Sequence, residues 1–383
     1  MTNPDSFCSA PFKSVLIDKN GSLIPCCEFM ADQSQVPNGN ISDFATWWNQ
    51  DLQGLRDSFV QGKKDNGCLH CDKKEKMFNS LHGHRIYQNQ TAILPLESYA
   101  TQETNTVEQL EIRFGNYCNL KCIMCGEYAS SSIASEYIKH QAQYNTIGIF
   151  MDTEPVERWW ENEQSLRNLE FMLTTVRKCV FSGGEPLIVP ELLKILDSIE
   201  SDCELVFISN LTRVTDALLQ KLSRFKFISI IVSCEGTGEH NDYVRFGSKW
   251  ATIQDNVLRL QQYNNIKITV NHVLQHTSIF ALPSLMSWCQ QHSLHLSLSP
   301  VYEHSYPAPG VLGINSAHPT DVKRFSDWLS SKSKNSNLDA WLKQYVYDPA
   351  LNKQFHGYVT MLDSIRNLNF YTTFNPTYDN TQH

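Results

Sequence analysis

The run Cys118-Asn119-Leu120-Lys121-Cys122-Ile123-Met124-Cys125 places three thiols within eight residues, directly after a stretch at 107–114 that reads as a strand. Thiolates so close together on one loop can converge on one inorganic centre. A [4Fe–4S] cube has four irons, and cysteine normally ligates each of them. Three cysteines therefore leave one iron open to a small molecule. A zinc site would recruit a fourth Cys or His nearby, typically as paired units, and none follows within the loop.

Downstream of the triplet, short apolar runs at 179–182, 204–209, 225–233, 266–274 and 294–299 alternate with helical stretches at 190–200, 215–223, 250–263 and 282–292. With 107–114 they make six strands separated by helices, which implies βα units and a parallel sheet. An open six-stranded (β/α) barrel and a doubly wound sheet both satisfy the pattern. In either, ligands collect at the carboxyl ends of the strands. The interval 126–178 is long for one crossover and is expected to hold a helix and an inserted loop. Residues 303–383 show many aromatics and little periodicity, and form a C-terminal extension of unassigned role.

Upstream, residues 1–80 read as a small cysteine-bound module and 81–106 as a polar linker. A hairpin is expected at 14–18 and 22–26, turned at Lys19-Asn20-Gly21. A helix is expected over 42–60, with Ser42 as N-cap and Phe44, Trp47, Trp48, Leu52 and Leu55 as its apolar stripe.

The chain has 383 residues, enough for one large domain and a small one. Its net charge of −8 disfavours nucleic acid or an anionic membrane as the main partner. No apolar stretch is long enough to span a bilayer, and the polar start, 1–6, lacks the apolar core of a secretory signal. A reducing, cytoplasmic location follows. Twelve cysteines are many for such a compartment, where clustered thiols read first as metal ligands or catalytic groups. Cys179, Cys203, Cys234 and Cys289 are scattered through apolar segments and read as small packing residues.

The spacing C-x3-C-x2-C after a strand resembles the radical S-adenosylmethionine (SAM) superfamily. Phe181-Ser182-Gly183-Gly184-Glu185-Pro186, at the end of the second barrel strand, resembles that family's GGE motif, which binds the methionine amino group. Glycines permit close backbone approach, and a carboxylate accepts hydrogen bonds from an ammonium. Softer likenesses are Asn210 after the third strand and Ser233 at the end of the fourth. There Ile231-Val232-Ser233-Cys234-Glu235-Gly236 departs from the family's S-I-D-G by carrying Cys and Glu. Arg245, in Asn241-Asp242-Tyr243-Val244-Arg245, resembles a recurring H-D-x-x-R segment. Met124 stands where many members have an aromatic beside adenine. The resemblance implies a partial (β/α)6 TIM-type barrel over 107–302 and a [4Fe–4S] cluster on Cys118, Cys122 and Cys125. It also implies SAM contacts at Met124, Gly183, Gly184, Glu185, Asn210, Ser233 and Arg245. In that family the cluster reductively cleaves SAM to a 5′-deoxyadenosyl radical, which abstracts hydrogen from a substrate.

Pleat alternation places Ser229, Ile231, Ser233 and Glu235 on the lumen face and turns Cys234 toward the helices. In the first strand Glu111 and Arg113 face the lumen, where charges are costly unless paired or functional.

Cys8, Cys26, Cys68 and Cys71 resemble the auxiliary-cluster modules called SPASM and twitch, here preceding the barrel instead of following it. They imply a second [4Fe–4S] cluster, with Cys27 as the spare thiol or as an exchange partner of Cys26. A structural zinc site is the alternative. The resemblance favours a peptide or protein substrate, with a carbohydrate- or nucleoside-like molecule next, and an electron donor such as flavodoxin or ferredoxin. Two other functions fit fewer features: a non-catalytic zinc-bound interaction protein, and a thiol oxidoreductase using Cys68-Leu69-His70-Cys71, which lacks the βαβ context.

Overall fold

The computed structural model describes residues 7–77, 84–101, 106–301, 308, 310–332 and 336–376. The polar start at 1–6, residues 81–83 and 102–105 of the expected linker, and 302–307, 309, 333–335 and 377–383 of the C-terminal region lie outside them. The fold is α/β with mostly parallel strands, and the chain falls into two compact units.

The first unit comprises 1–115, 155–207 and 216–228. Its strands are β1 (Ser14–Ile17), β2 (Ser22–Ile24), β3 (Gly39–Asn40) and β4 (Gln109–Arg113), with β6 (Lys178–Ser182) and most of β7 (Glu204–Ser209) later in the chain. They lie in the order β7-β6-β4-β1-β2-β3. β4, β6 and β7 pair in parallel, as their alternation with helices requires. The expected hairpin forms, with Leu16 opposite Ile24. Beyond that expectation, β1 also pairs in parallel with β4, Val15 opposite Leu110. Ser14-Val15-Leu16-Ile17 is buried at every position, the pattern of a strand covered on both faces.

The expected helix at 42–60 is broken into pieces. Asn40, not Ser42, caps its start by accepting from Ser42 N at 3.0 Å. The middle, Trp47–Asp51, is a π turn closed by Leu52 N donating to Trp47 O at 3.0 Å. Trp47 and Trp48 are adjacent and both buried. An α-helix turns neighbours 100° apart, and the wider π turn brings both indoles inward. The stretch expected as a polar linker contains the helices His84–Gln90 and Leu96–Ala100. Asn89 Nδ2 donates to Phe7 O at 2.9 Å, and Tyr99 donates to the Glu108 carboxylate at 2.9 Å.

The second unit comprises 116–154, 208–215 and 229–383. It holds a two-stranded ribbon of β5 (Lys121–Cys122) and β9 (Arg245–Phe246). It also holds nearly all of β8 (Ile228–Ser233), with β10 (Ile266–Leu274) and β11 (His295–Pro300), in the order β11-β10-β8. Helices Ser131–Thr146, Trp250–Leu260 and Ser278–Gln291 pack in it. The C-terminal region supplies helices Pro319–Ser330, Ser336–Lys343, Pro349–Arg366 and Phe370–Phe374. Phe355, Tyr358, Val359, Leu362, Phe370 and Phe374 of the last two share one buried cluster with Ile123 of the cysteine loop.

Two imidazoles are built into that core. His276 stacks on Phe355 at 3.7 Å and bonds Ser316 Oγ at 2.9 Å. His356 stacks on Tyr371, whose hydroxyl meets its Nδ1 at 3.0 Å. Burial pushes His276 well down and His356 down to about 4 from an ordinary 6.5. The unfolded chain therefore takes up protons first. The stability held by His356 is complete above pH 6.5 and drains away as pH falls toward 4. Urea unfolding across that window should show the wild type losing on the order of 2 kcal/mol more than His356→Gln. Parallel pH profiles would contradict this account of the buried imidazole.

Candidate functional site

The cysteine loop lies in the second unit and is tied down on every side by backbone-directed bonds. Ser132 Oγ donates to Cys118 O at 2.7 Å, and Ser130 Oγ donates to Leu120 O at 2.6 Å while capping the helix Ser131–Thr146 through Ile133 N. Cys125 N donates to Cys122 O at 3.1 Å, folding the second half of the loop into a turn. The β5–β9 ribbon sets Cys122 directly opposite Arg245. Ile123 N donates to Val244 O at 2.9 Å. Gly247 follows with φ of 99°, and a side chain there would press on Asn119 O. From the C-terminal region, Tyr358 donates to Ile123 O at 2.8 Å.

Arg245 is the cation of this site. Its Nη1 lies 3.7 Å from Cys122 Sγ and its Nη2 2.8 Å from Glu235 Oε1. Burial works against the charge, and the Cys122 thiol and Glu235 carboxylate outweigh it, holding the guanidinium's pKa above its usual value. Glu235 is fully buried. Its second oxygen accepts from Val273 N at 3.0 Å and stands 3.4 Å from His272 Nδ1. Arg245 Nε is buried with no partner among the described residues. Glu235 lies two residues past the end of the strand Ile228–Ser233, and its pairing with Arg245 and His272 was not legible from the motif.

Asn210 donates to Asn119 Oδ1 at 3.0 Å, and its Nδ2 lies 4.0 Å from Cys118 Sγ. Leu211, next in the chain, has φ of 54°, a costly conformation for a γ-branched residue. It is held by Leu211 N donating to Ser209 Oγ and by Asn256 Nδ2 donating to Leu211 O, both at 2.9 Å. Met124 packs partly buried against the C-terminal aromatic cluster. Ser233 is half-buried, and Cys234 beside it is wholly buried. Burial raises the Cys122 thiol and pushes Cys125 up to about 12. A cation must therefore enter for these groups to become thiolates.

A second layer holds the loop from behind. Arg366 donates to Glu136 at 2.8 Å, Lys121 Nζ meets the same carboxylate at 3.0 Å, and Tyr144 donates to it at 2.8 Å. Burial alone would raise the Glu136 carboxyl, and bonds from Arg366, Tyr144 and Lys121 prevail and hold it below its usual range.

In the first unit, Gly183 takes φ of 98° and is exposed, half-buried Gly184 follows, and Glu185 is buried. Glu185 Oε1 accepts from Leu187 N at 3.0 Å, capping the turn Pro186–Ile188. Glu111 and Arg113, the charges expected in the lumen, pair with each other at 3.1 Å. Ser182 Oγ donates to Glu111 at 2.5 Å, and Arg113 also meets Asp18 at 3.1 Å.

Also in the first unit, Cys8, Cys26, Cys68 and Cys71 line one small cavity of about 20 Å³, partly open to solvent. Its other walls include Glu28, Lys64, Asp72, His84 and Arg85. Arg85 pairs with Glu75 and Lys64 with Asp72. Cys27 is exposed and outside this lining, 3.9 Å from His84 Nε2. Burial pushes Cys8 up to about 12 and also raises Cys26 and Cys68, with help from neighbouring thiols. Among the described residues, no three His, Cys, Asp or Glu side chains are gathered tightly enough to hold a single metal ion.

Residues 112–278 match the family model of the radical SAM superfamily. Among solved structures the chain is similar to native anSMEcpe with bound AdoMet, at 14% identity over 63% of this chain and 64% of that one, TM-score 0.38. It is similar to Streptococcus suis SuiB bound to precursor peptide SuiA, at 14% identity over 83% and 67%, TM-score 0.39. It is also similar to coproporphyrinogen III oxidase (HemN) from Escherichia coli, at 11% identity over 67% and 51%, TM-score 0.32. The chain spans 64% of the length of the first of these structures. No curated protein matches it. No helix among the described residues is long and apolar enough to cross a membrane.

Proposed function

We propose that this enzyme, whose residues 112–278 match the radical SAM family model, cleaves SAM reductively at a [4Fe–4S] cluster on Cys118, Cys122 and Cys125. The observation that carries this reading is the tied-down loop of three thiols, with Cys122 facing a buried guanidinium whose Nε has no partner among the described residues. A carboxylate such as that of SAM is the kind of group that completes it. When bound, cluster and SAM together supply an adenosyl radical able to abstract hydrogen from an unactivated C–H bond.

The chain's own residues do the positioning. Arg245 neutralises charge beside Cys122, Glu235 and His272 fix Arg245, and Asn210 and Asn119 stand beside Cys118. Gly183, Gly184 and Glu185 are assigned to the methionine amino group, with Met124 and Ser233 as further SAM contacts. The six barrel strands are read as a partial (β/α)6 TIM-type barrel. The four-thiol cavity of Cys8, Cys26, Cys68 and Cys71 is assigned a second [4Fe–4S] cluster, as in SPASM and twitch modules. The substrate is proposed to be a peptide or protein. Support for it is the pairing of a radical SAM domain with a second cysteine-lined cavity, which in this family often goes with peptide chemistry.

Anaerobic iron reconstitution followed by SAM and dithionite tests the reaction: 5′-deoxyadenosine should form, and its absence would overturn the proposal. The second cluster has its own test. Cys68→Ala should lower iron from about eight to about four per chain and leave substrate-free 5′-deoxyadenosine formation in place. Unchanged iron in this variant would refute the auxiliary assignment.

A further inference from the structure

The second unit carries an open groove of about 470 Å³ whose lining includes Lys121 of the cysteine loop. Lys121, Lys139, His140 and Arg366 line it, with the hydroxyls of Ser131, Ser132 and Ser135. Glu136 is the one carboxylate among its described lining residues, and it is engaged by Arg366, Lys121 and Tyr144. The lining therefore keeps an excess of positive charge on a chain whose net charge is −8. The helix Ser131–Thr146 begins in this groove, and its positive dipole end adds to the same sign.

The groove's lining is joined to the cysteine loop through the backbone. Lys121 is bonded to Cys122, and Ser131 and Ser132 both donate to the carbonyl of Cys118, at 3.4 and 2.7 Å. An electron carrier seated here would rest on residues that adjoin or hydrogen-bond the backbone of two of the three loop cysteines. We propose that this groove is the docking surface for an acidic protein that carries a one-electron redox group, of the flavodoxin type. The proposal rests on the radical SAM reading, which needs one electron for each SAM cleaved. On docking, the carrier is oxidised by one electron and the centre on the loop is reduced by one. No bond or proton moves between the two proteins.

Lys139 provides the test, because it is exposed and outside the network that holds the loop. In reconstituted protein, Lys139→Glu should weaken flavodoxin binding about tenfold at low ionic strength, and Lys139→Ala should fall between it and the wild type. The differences should vanish at about 1 M salt, where screening acts within about 3 Å. Flavodoxin-driven 5′-deoxyadenosine formation should fall in step, with dithionite-driven formation unchanged. Equal flavodoxin affinity in all three proteins overturns the docking surface, and so does an equal loss with both reductants, which would mark a role in substrate access or folding. Failure of the wild type with dithionite overturns the radical SAM reading itself, and the binding measurement still decides where flavodoxin sits.

Discussion

Replacing Cys122 by alanine should abolish 5′-deoxyadenosine formation and remove about four irons per chain, leaving the four-thiol cavity of Cys8, Cys26, Cys68 and Cys71 loaded. The reason is local. Cys122 is the buried member of the triplet and the ribbon partner of Arg245. Its loss removes one of the three ligands and the sulfur that Arg245 faces at 3.7 Å, leaving two thiols, too few to hold the cluster. Cys289→Ala is the matched control. That thiol is buried in the helix Ser278–Gln291, reads as a packing residue, and should retain full iron and full SAM cleavage. Iron analysis and product chromatography on both variants check the prediction. Cleavage persisting in Cys122→Ala would show that the chemistry is housed elsewhere.

Glu235→Gln should destabilise the metal-free protein by about 3–5 kcal/mol, the cost of leaving a buried charge without its counter-ion. The carboxylate is fully buried between Arg245, Val273 N and His272. A glutamine keeps the shape and removes the charge. The companion change Arg245→Met tests the cause. If pairing is the reason, the double variant should recover most of the loss, because removing both charges is often close to neutral. Urea unfolding of the two single variants and the double variant measures the coupling. Additive losses would mean that the Glu235 charge acts through partners other than Arg245, such as Val273 N and His272. SAM affinity of the reconstituted proteins should fall in both Arg245 variants, whatever their stability.

Most of the strands from β4 onward could be read from the chain because each is a short apolar run that ends in a polar loop. β7 and β10 occupy the expected residues, and β4, β6, β8 and β11 shift by no more than three at an end. The triplet and the Gly183–Glu185 turn were legible because their chemistry is concentrated in a few neighbouring residues. What stayed hidden depends on partners distant in sequence. β1 reads as half of a hairpin, and its parallel partner β4 begins at Gln109. Continuous burial of Ser14-Val15-Leu16-Ile17 was the available signal.

The helix Pro349–Arg366 escaped notice for another reason. Its buried face includes Asn352, His356 and Arg366 alongside Phe355, Val359 and Leu362. Polar residues at core spacing erase the hydrophobic period on which helix recognition depends. The same residues give the C-terminal region its role: Tyr358 holds Ile123 and Arg366 holds Glu136, so a segment without recognisable motif braces the cysteine loop. Glu235 was visible as a departure from the family's aspartate, but its partner His272 lies on a strand where an isolated histidine carries no pattern.

The open iron is the account's central claim, and magnetic resonance reaches it most directly. Cys68→Ala protein, reconstituted anaerobically and reduced, should show the electron paramagnetic resonance signal of one reduced cubane cluster. Adding SAM should shift that signal, because the amino and carboxylate groups of SAM bind the iron that no cysteine holds. A spectrum unmoved by saturating SAM would mean that the trio of thiols leaves no iron free, and the account would fail.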